Sequence, residues 1–196
     1  MARLKEEKTV VLVKPDGVKR GLTGEVIRRI EQRGLKIIAL DMIWATEKQM
    51  DNHYPKNEEW IRGLGEKSLA TYKKYGFDPI KELGTKDALE IGKMVRKWLI
   101  DFMISGPIIK MVVKGIHAID MTRKIVGNTI PALADMGTIR GDYSIDSPAL
   151  ANREKRAVRN VIHASRDKKE AEHELKEWFS PEEIHDYKRA EEDIMF

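Results

Sequence analysis

Apolar residues form short unbroken runs at some points of the chain and recur every third or fourth residue at others, which predicts strands interleaved with helices. Val10, Val11, Leu12 and Val13 are consecutive aliphatic residues, so a buried strand is expected over 9–14, ending on Lys14. The Pro15-Asp16-Gly17 that follows reads as a turn, because Pro presets φ and Gly accepts a positive φ. Val26, Ile27 and Ile30 make a helical stripe, with Thr23 as the expected cap and Gly34 as the stop. Further strands are expected over 35–44, 108–114 and 157–162, with a helix over 118–126 between the last two. Ala171, Leu175 and Trp178 mark an amphipathic helix over 168–178, preceded by Asp167 and Glu170 at capping-box spacing.

Strand-helix-strand twice over predicts an α+β sandwich: one domain, with helices on one face of a mainly antiparallel four-stranded sheet. A chain of 196 residues, 41% of them hydrophobic, is long enough for one good-sized core. No apolar run approaches the roughly 18 residues of a membrane span, and residues 1–8 lack the apolar centre of a signal peptide. These features predict a cytoplasmic protein with no membrane partner. Cysteine is absent and the five histidines form no close helical pair, so no protein-held metal is expected. The 36 basic and 32 acidic residues are mixed along the chain. That net charge of +4 describes a solvated surface better than a nucleic-acid footprint.

Candidate chemistry gathers where apolar segments end. His163 stands at the close of the run Asn160-Val161-Ile162-His163-Ala164-Ser165. A neutral imidazole is a nucleophile near pH 7, and a neighbouring carboxylate can fix its tautomer. Lys14 lies at a strand's carboxyl edge, as a cation facing a ligand would. Arg140 lies between Gly137 and Gly141 in a stretch without helical or strand period, read as a loop that brings backbone and guanidinium to phosphate. Its planar fork grips oxyanions through two parallel hydrogen bonds. Arg123 adds a third cation, on the 118–126 helix.

In this order the pieces resemble the nucleoside diphosphate kinase family. The likeness runs through Lys14-Pro15-Asp16-Gly17-Val18, His53-Tyr54, Ser105-Gly106-Pro107, Gly127-Asn128-Thr129, Gly137-Thr138-Ile139-Arg140-Gly141-Asp142, Asn160 to Ser165 and Trp178-Phe179-Ser180-Pro181-Glu182-Glu183. The resemblance implies a ferredoxin-like core and ping-pong transfer of the γ-phosphoryl group of ATP, or another nucleoside triphosphate, to a nucleoside diphosphate. It implies His163 as nucleophile, Glu174 on its far ring nitrogen and Ser165 steadying the near side. Lys14, Arg123, Arg140, Thr129 and Tyr54 would meet phosphates and the reaction centre, and Asn160 with Lys14 the ribose hydroxyls. Mg²⁺ would arrive on nucleotide phosphates, since it prefers their oxygens and water to an all-protein cage. Broad base specificity and a homo-oligomer, commonly a hexamer, are also implied.

The chain departs from the family pattern at several places. Arg166 stands where Asp usually follows the histidine and serine. The base-stacking phenylalanine falls at Val95, for which Trp60 or Trp98 could substitute. Extra segments lie at about 56–95 and 146–156, and surface insertions of this kind cost little closure entropy. Gly63-Leu64-Gly65-Glu66-Lys67-Ser68 in the first lacks P-loop spacing and is discounted. Two rival readings are a nucleic-acid module, prompted by Lys74-Tyr75-Gly76-Phe77, and a catalytically silent assembly protein. The aliphatic strands count against the first. The presence of His163, Lys14, Arg123, Arg140, Asn160 and Glu174 counts against the second.

Overall fold

The apolar runs pair with one another. In the computed structural model, which describes residues 6–190 and 192–195, β1 (Glu7–Val13) leads into α1 (Pro15–Lys19) and α2 (Thr23–Gln32). There follow β2 (Lys36–Ile43), α3 (Glu47–His53), α4 (Glu58–Tyr75), α5 (Pro79–Leu83), α6 (Ala88–Met103) and β3 (Ile108–Gly115). The remainder holds α7 (Ala118–Val126), α8 (Ile139–Tyr143), α9 (Pro148–Arg153), β4 (Ile162–Ala164) and α10 (Lys168–Trp178). The sheet order is β2-β3-β1-β4 and every pairing is antiparallel. This is a ferredoxin-like α+β sandwich.

Helices cover both faces of the sheet, not one. Val10 to Val13 are all 0% exposed, and because side chains alternate across a strand, both faces of β1 must be covered. Val11 and Val13 pack with Met111 and Val113 against Val26, Ile30 and Val126 of α2 and α7. Val10 and Leu12 pack with Val112 against Met50, Ile100, Met103 and Trp178 of α3, α6 and α10. Full burial of each aliphatic side chain contributes about 1.5–3 kcal/mol.

Four local expectations are corrected. Pro15-Asp16-Gly17 opens α1 instead of forming a turn, with Pro at the first helical positions, where a missing N–H costs nothing. Gly17 is needed there for space, not for positive φ: a Cβ would lie 2.8 Å from both Val13 Cγ1 and the Val161 carbonyl oxygen. Thr23 is the first residue of α2 and caps nothing; Leu22 occupies the cap position without a side-chain bond. The stretch 157–162 is strand only from Ile162, because side chains take the backbone groups before it. Arg159 N donates to Asp146, Val161 N to Asp16, and Asn160 O accepts from Arg140. Finally, 139–143 is a helical turn capped by Thr138, whose hydroxyl accepts from Gly141 N. A Cβ on Gly141 would lie 2.0 Å from the Asp135 carbonyl oxygen.

Of the two glycines discounted as a phosphate loop, Gly63 faces open space and Gly65 serves helix packing, together with Gly92. A Cβ on Gly65 of α4 would lie 1.8 Å from the Ala88 carbonyl oxygen, and one on Gly92 of α6 would lie 1.9 Å from that of Ile61. The two helices therefore touch backbone to backbone. Gly65→Ala must push them apart, which should cost about 1–3 kcal/mol by overpacking. At this chain length each kcal/mol lowers Tm by roughly 2–4 °C; an unchanged Tm in thermal unfolding would show that the contact is slack. Residues of 56–95 and 146–156 also meet: Tyr72 hydroxyl donates to Asn152 O at 3.5 Å, and Arg153 lies 4.9 Å from the Phe77 ring centre.

Candidate active site

β4 places His163 opposite Leu12 of β1, and α10 returns over the strand to meet it. Asp167 starts that helix by accepting from Glu170 N at 2.9 Å. The expected reciprocal half of the capping box is absent, because the Glu170 carboxylate accepts from Arg166 N instead. Two turns on, buried Glu174 presents one oxygen 2.7 Å from His163 Nε2 and takes Ser165 Oγ on the other, also at 2.7 Å. Ser165 Oγ in turn accepts from Val10 N at 3.1 Å, tying the group to β1. Burial alone would raise the Glu174 carboxyl; His163, with His53 and Ser165 behind it, outweighs burial and holds it below the ordinary range. A charged carboxylate on Nε2 keeps the proton there. The Nδ1 lone pair, to which the described residues offer no hydrogen bond, is thereby available as a nucleophile.

A second linked group carries the cations. Lys14 Nζ donates to Asn160 Oδ1 at 2.7 Å, and Asn160 Nδ2 donates to Thr129 O at 2.9 Å. Arg140 donates from Nε to Asn160 O at 3.3 Å, from Nη1 to Gly127 O at 2.9 Å and from Nη2 to Ile162 O at 2.6 Å. Three of its five N–H groups are thus spent on the backbone that leads to His163, and two remain for an oxyanion. Arg123 is exposed and donates to Arg166 O at 2.8 Å. Thr129 is exposed too, with its carbonyl bound by Asn160 and its hydroxyl making no hydrogen bond among the described residues.

Burying these cations together has a measurable consequence. Burial, then the charge of Arg140, lowers Lys14 to about 8, with Asp16 pulling the other way. Burial and Arg123 lower Arg140 to about 10. In the free protein Lys14 is therefore charged below about 8 and neutral above it. Nucleotide half-saturation should rise as pH passes that value, while kcat changes less, because bound phosphate restores the charge. The same residue titrates higher in the unfolded chain, so unfolded protein binds more protons in the interval and the Lys14 contribution to stability increases there with pH. A half-saturation profile that is flat across pH 8, or one unaltered by Lys14→Met, would contradict this assignment.

The surroundings add His53, Trp178 and Phe102, to which the motifs assign no role, beside Tyr54 and Trp60. His53 is 8% exposed, and its ring centre lies 5.0 Å from that of His163 and 4.9 Å from that of Tyr54. Burial and His163 outweigh Glu174 and lower its pKa to about 3, so it stays neutral. Trp178 Nε1 donates to its Nδ1 at 3.3 Å. Tyr54 is raised by burial and by Glu174, and its ring stacks on Trp60 at 6.2 Å. Trp60 therefore lies beside the site, in a cleft of about 620 Å³ that also includes His53, Tyr54, Arg166, His173 and Glu174. Val95 sits half-buried on α6; two turns later the same helix brings the Phe102 ring to 6.0 Å from Lys14 Nζ. Only spacing along α6 could have exposed Phe102 in the sequence.

Among the described residues, the group with metal-ligand geometry is His53, His163 and Glu174. Two imidazoles and one carboxylate already hydrogen-bonded are a poor match for Mg²⁺, which takes oxygen ligands and water. These residues do not fit a protein-held Mg²⁺. Among the described residues, no helix is long and apolar enough to cross a membrane.

The geometry has close counterparts. The family model described as nucleoside diphosphate kinase matches residues 7–61 and 88–184. A nucleoside diphosphate kinase of Pyrobaculum aerophilum is 49% identical over 178 residues, covering 91% of this chain and 97% of that protein. The crystal structure of an NDP kinase from Pyrobaculum aerophilum superposes with a TM-score of 0.90 at 46% identity, over 93% of this chain and 100% of the other. A transition-state mimic of the Borrelia burgdorferi nucleoside-diphosphate kinase, with bound vanadate and ADP, gives 0.75 at 35% identity over 95% of each chain.

Proposed function

Because this chain belongs to the nucleoside diphosphate kinase family and moves the γ-phosphoryl group of a nucleoside triphosphate to a nucleoside diphosphate, we propose that His163 Nδ1 carries the group between them. One observation supports this above others: Glu174 holds Nε2 at 2.7 Å and leaves Nδ1 without a hydrogen bond among the described residues, while Arg140 grips the carbonyl of Ile162, the residue before His163. In the first half-reaction the Nδ1 lone pair bonds to the γ-phosphorus as the bond to the β,γ-bridging oxygen breaks, and the diphosphate departs with those electrons. The positive charge left on the ring is balanced through Nε2–H by Glu174. In the second, a terminal oxygen of another diphosphate attacks phosphorus, the N–P bond breaks and the imidazole returns neutral.

Such transfers depend on in-line placement and on neutralising the equatorial oxygens. Arg140, Arg123 and Lys14 serve that neutralisation, with Thr129 and the Tyr54 hydroxyl at the reaction centre and Asn160 with Lys14 on the ribose. The vanadate and ADP bound by the Borrelia protein support this placement by analogy. Mg²⁺ comes as part of the nucleotide, where it screens phosphate charge. These contacts go to groups common to all nucleotides. The base therefore meets only a surface, near Val95, Phe102 or Trp60, and broad base tolerance follows. A cytoplasmic location fits these substrates.

The oligomer implied by the family has surface to support it. Strand β2 is a sheet edge, and Leu40, Met42 and Trp44 along or just beyond it are 49%, 58% and 66% exposed. Leu133, Met136 and Ile145 are exposed as well, at 62%, 81% and 96%. One self-complementary contact and one cyclic contact suffice to close a hexamer. The test of function is incubation with γ-labelled ATP and no acceptor. Label should stay on the protein, labile to acid and stable to base, and leave when any nucleoside diphosphate is added. Turnover without such an intermediate would point to direct transfer and overturn the role of His163.

A further inference from the structure

Val161, two residues before His163, has φ +67, a left-handed conformation that a β-branched residue rarely adopts. Its side chain is fully buried. One turn of chain holds it there. Asp16 Oδ2 accepts from Val161 N at 3.0 Å, and Lys14 N donates to Val161 O at 2.8 Å. Gly17 leaves room for the same carbonyl, which lies 2.8 Å from where its Cβ would be. Strand pairing with β1 begins at the very next residue, Ile162 against Val13, and continues with His163 against Leu12. The conformation of Val161 thus sets the register of the histidine. Relaxed to a right-handed conformation, it would break the bond to Asp16 and turn the start of β4. The other carboxylate oxygen of Asp16 is buried with no hydrogen bond among the described residues, which leaves the Val161 amide as the partner of this side chain, beside its electrostatic reach to Lys14 and Arg140.

We propose that Asp16 is a positioning residue for phosphoryl transfer: its carboxylate pins the left-handed Val161 and so fixes His163 for in-line attack. The proposal rests on His163 as the phosphoryl carrier. Misplacing a nucleophile by about an ångström can cost on the order of 100-fold in rate, and that loss should fall on the chemical step, since Asp16 need not touch nucleotide to act in this way.

Single-turnover transfer from γ-labelled ATP to the protein tests this, with melting followed alongside. Asp16→Ala should slow labelling by at least roughly tenfold and shift half-saturation by less than about threefold. Asp16→Asn keeps an oxygen that can accept from Val161 N, and should label within about threefold of the parent rate. In a Val161→Gly background, where positive φ carries no steric cost, Asp16→Ala should cost less than about threefold. Asp16→Ser, too short to reach the amide, replaces Asp16→Ala if that variant does not fold. Equal losses for Asn and Ala expressed in half-saturation would overturn the proposal in favour of a charge acting on Lys14 and Arg140. So would full activity of Asp16→Ala, or a loss of the same size in the Val161→Gly background. A parent protein that takes no label would instead overturn the role of His163, so the two failures are distinguishable.

Discussion

His163→Ala is expected to eliminate the labelled intermediate and to lower turnover by at least about 10⁴-fold, the scale on which enzymes lose activity when a covalent nucleophile is removed. Nothing near it can substitute. His53 is buried with its Nδ1 occupied by Trp178, and burial has pulled its pKa to about 3, which marks an imidazole of low basicity. Ser165 Oγ is committed to Glu174 and the β1 backbone. Thermal unfolding should be little changed, because His163 lies at the solvent edge of the short β4 and its loss leaves Glu174 its bond from Ser165. Steady-state coupled turnover and acid-quenched labelling of the purified variant check this. Labelling at the parent rate would mean that another residue carries the phosphoryl group.

Arg140→Lys should be nearly as damaging although it keeps the charge. The guanidinium bonds three carbonyl oxygens, of Gly127, Asn160 and Ile162, and still has two N–H groups to offer a phosphate. An ammonium has three donors in all and no fork, so it cannot do both. Loss of one such electrostatic contact to the transferring group costs about 10²–10³-fold. Buried carbonyls left without a donor add about 1–3 kcal/mol of instability each at most. The expected result is kcat/KM lower by about 10²–10³-fold together with a lower Tm. Equal kcat/KM for Lys and Arg would reduce Arg140 to one part of a diffuse positive field.

The regular elements with a clean period were legible in the sequence. Val10 to Val13 announced β1, and the spacings in 118–126 and 168–178 gave α7 and α10 at their observed limits. What failed was local structure decided by side-chain bonds that join distant positions. Val158 and Val161 look like strand residues, but Asp146, Asp16 and Arg140 claim the backbone from Arg159 to Val161, and β4 shrinks to three residues. No period records that. In the sequence Gly17 and Gly141 suggest conformational freedom or loop character, yet both answer to a carbonyl lying too close for a Cβ. The continuous aliphatics of β1 carry the message that both sheet faces are covered, which the order of the elements alone does not. For the site, the resemblance implies Glu174 on the far ring nitrogen of His163, where its carboxylate lies, but it also implies Ser165 on the near side of the ring, whereas Ser165 bonds Glu174 and β1; the linkage of Lys14, Asn160, Arg140 and the Thr129 backbone is visible only in the structure. His53 and Trp178 reach the site through tertiary packing, which sequence spacing does not encode.

Identifying which ring nitrogen bears phosphate puts the central claim to its most direct test. The Glu174 carboxylate occupies Nε2 at 2.7 Å, so alkaline digestion of the labelled protein and separation of the phosphohistidine isomers should yield the Nδ1 isomer from the peptide containing His163. Label recovered on Nε2, or on a peptide that lacks His163, would contradict the account.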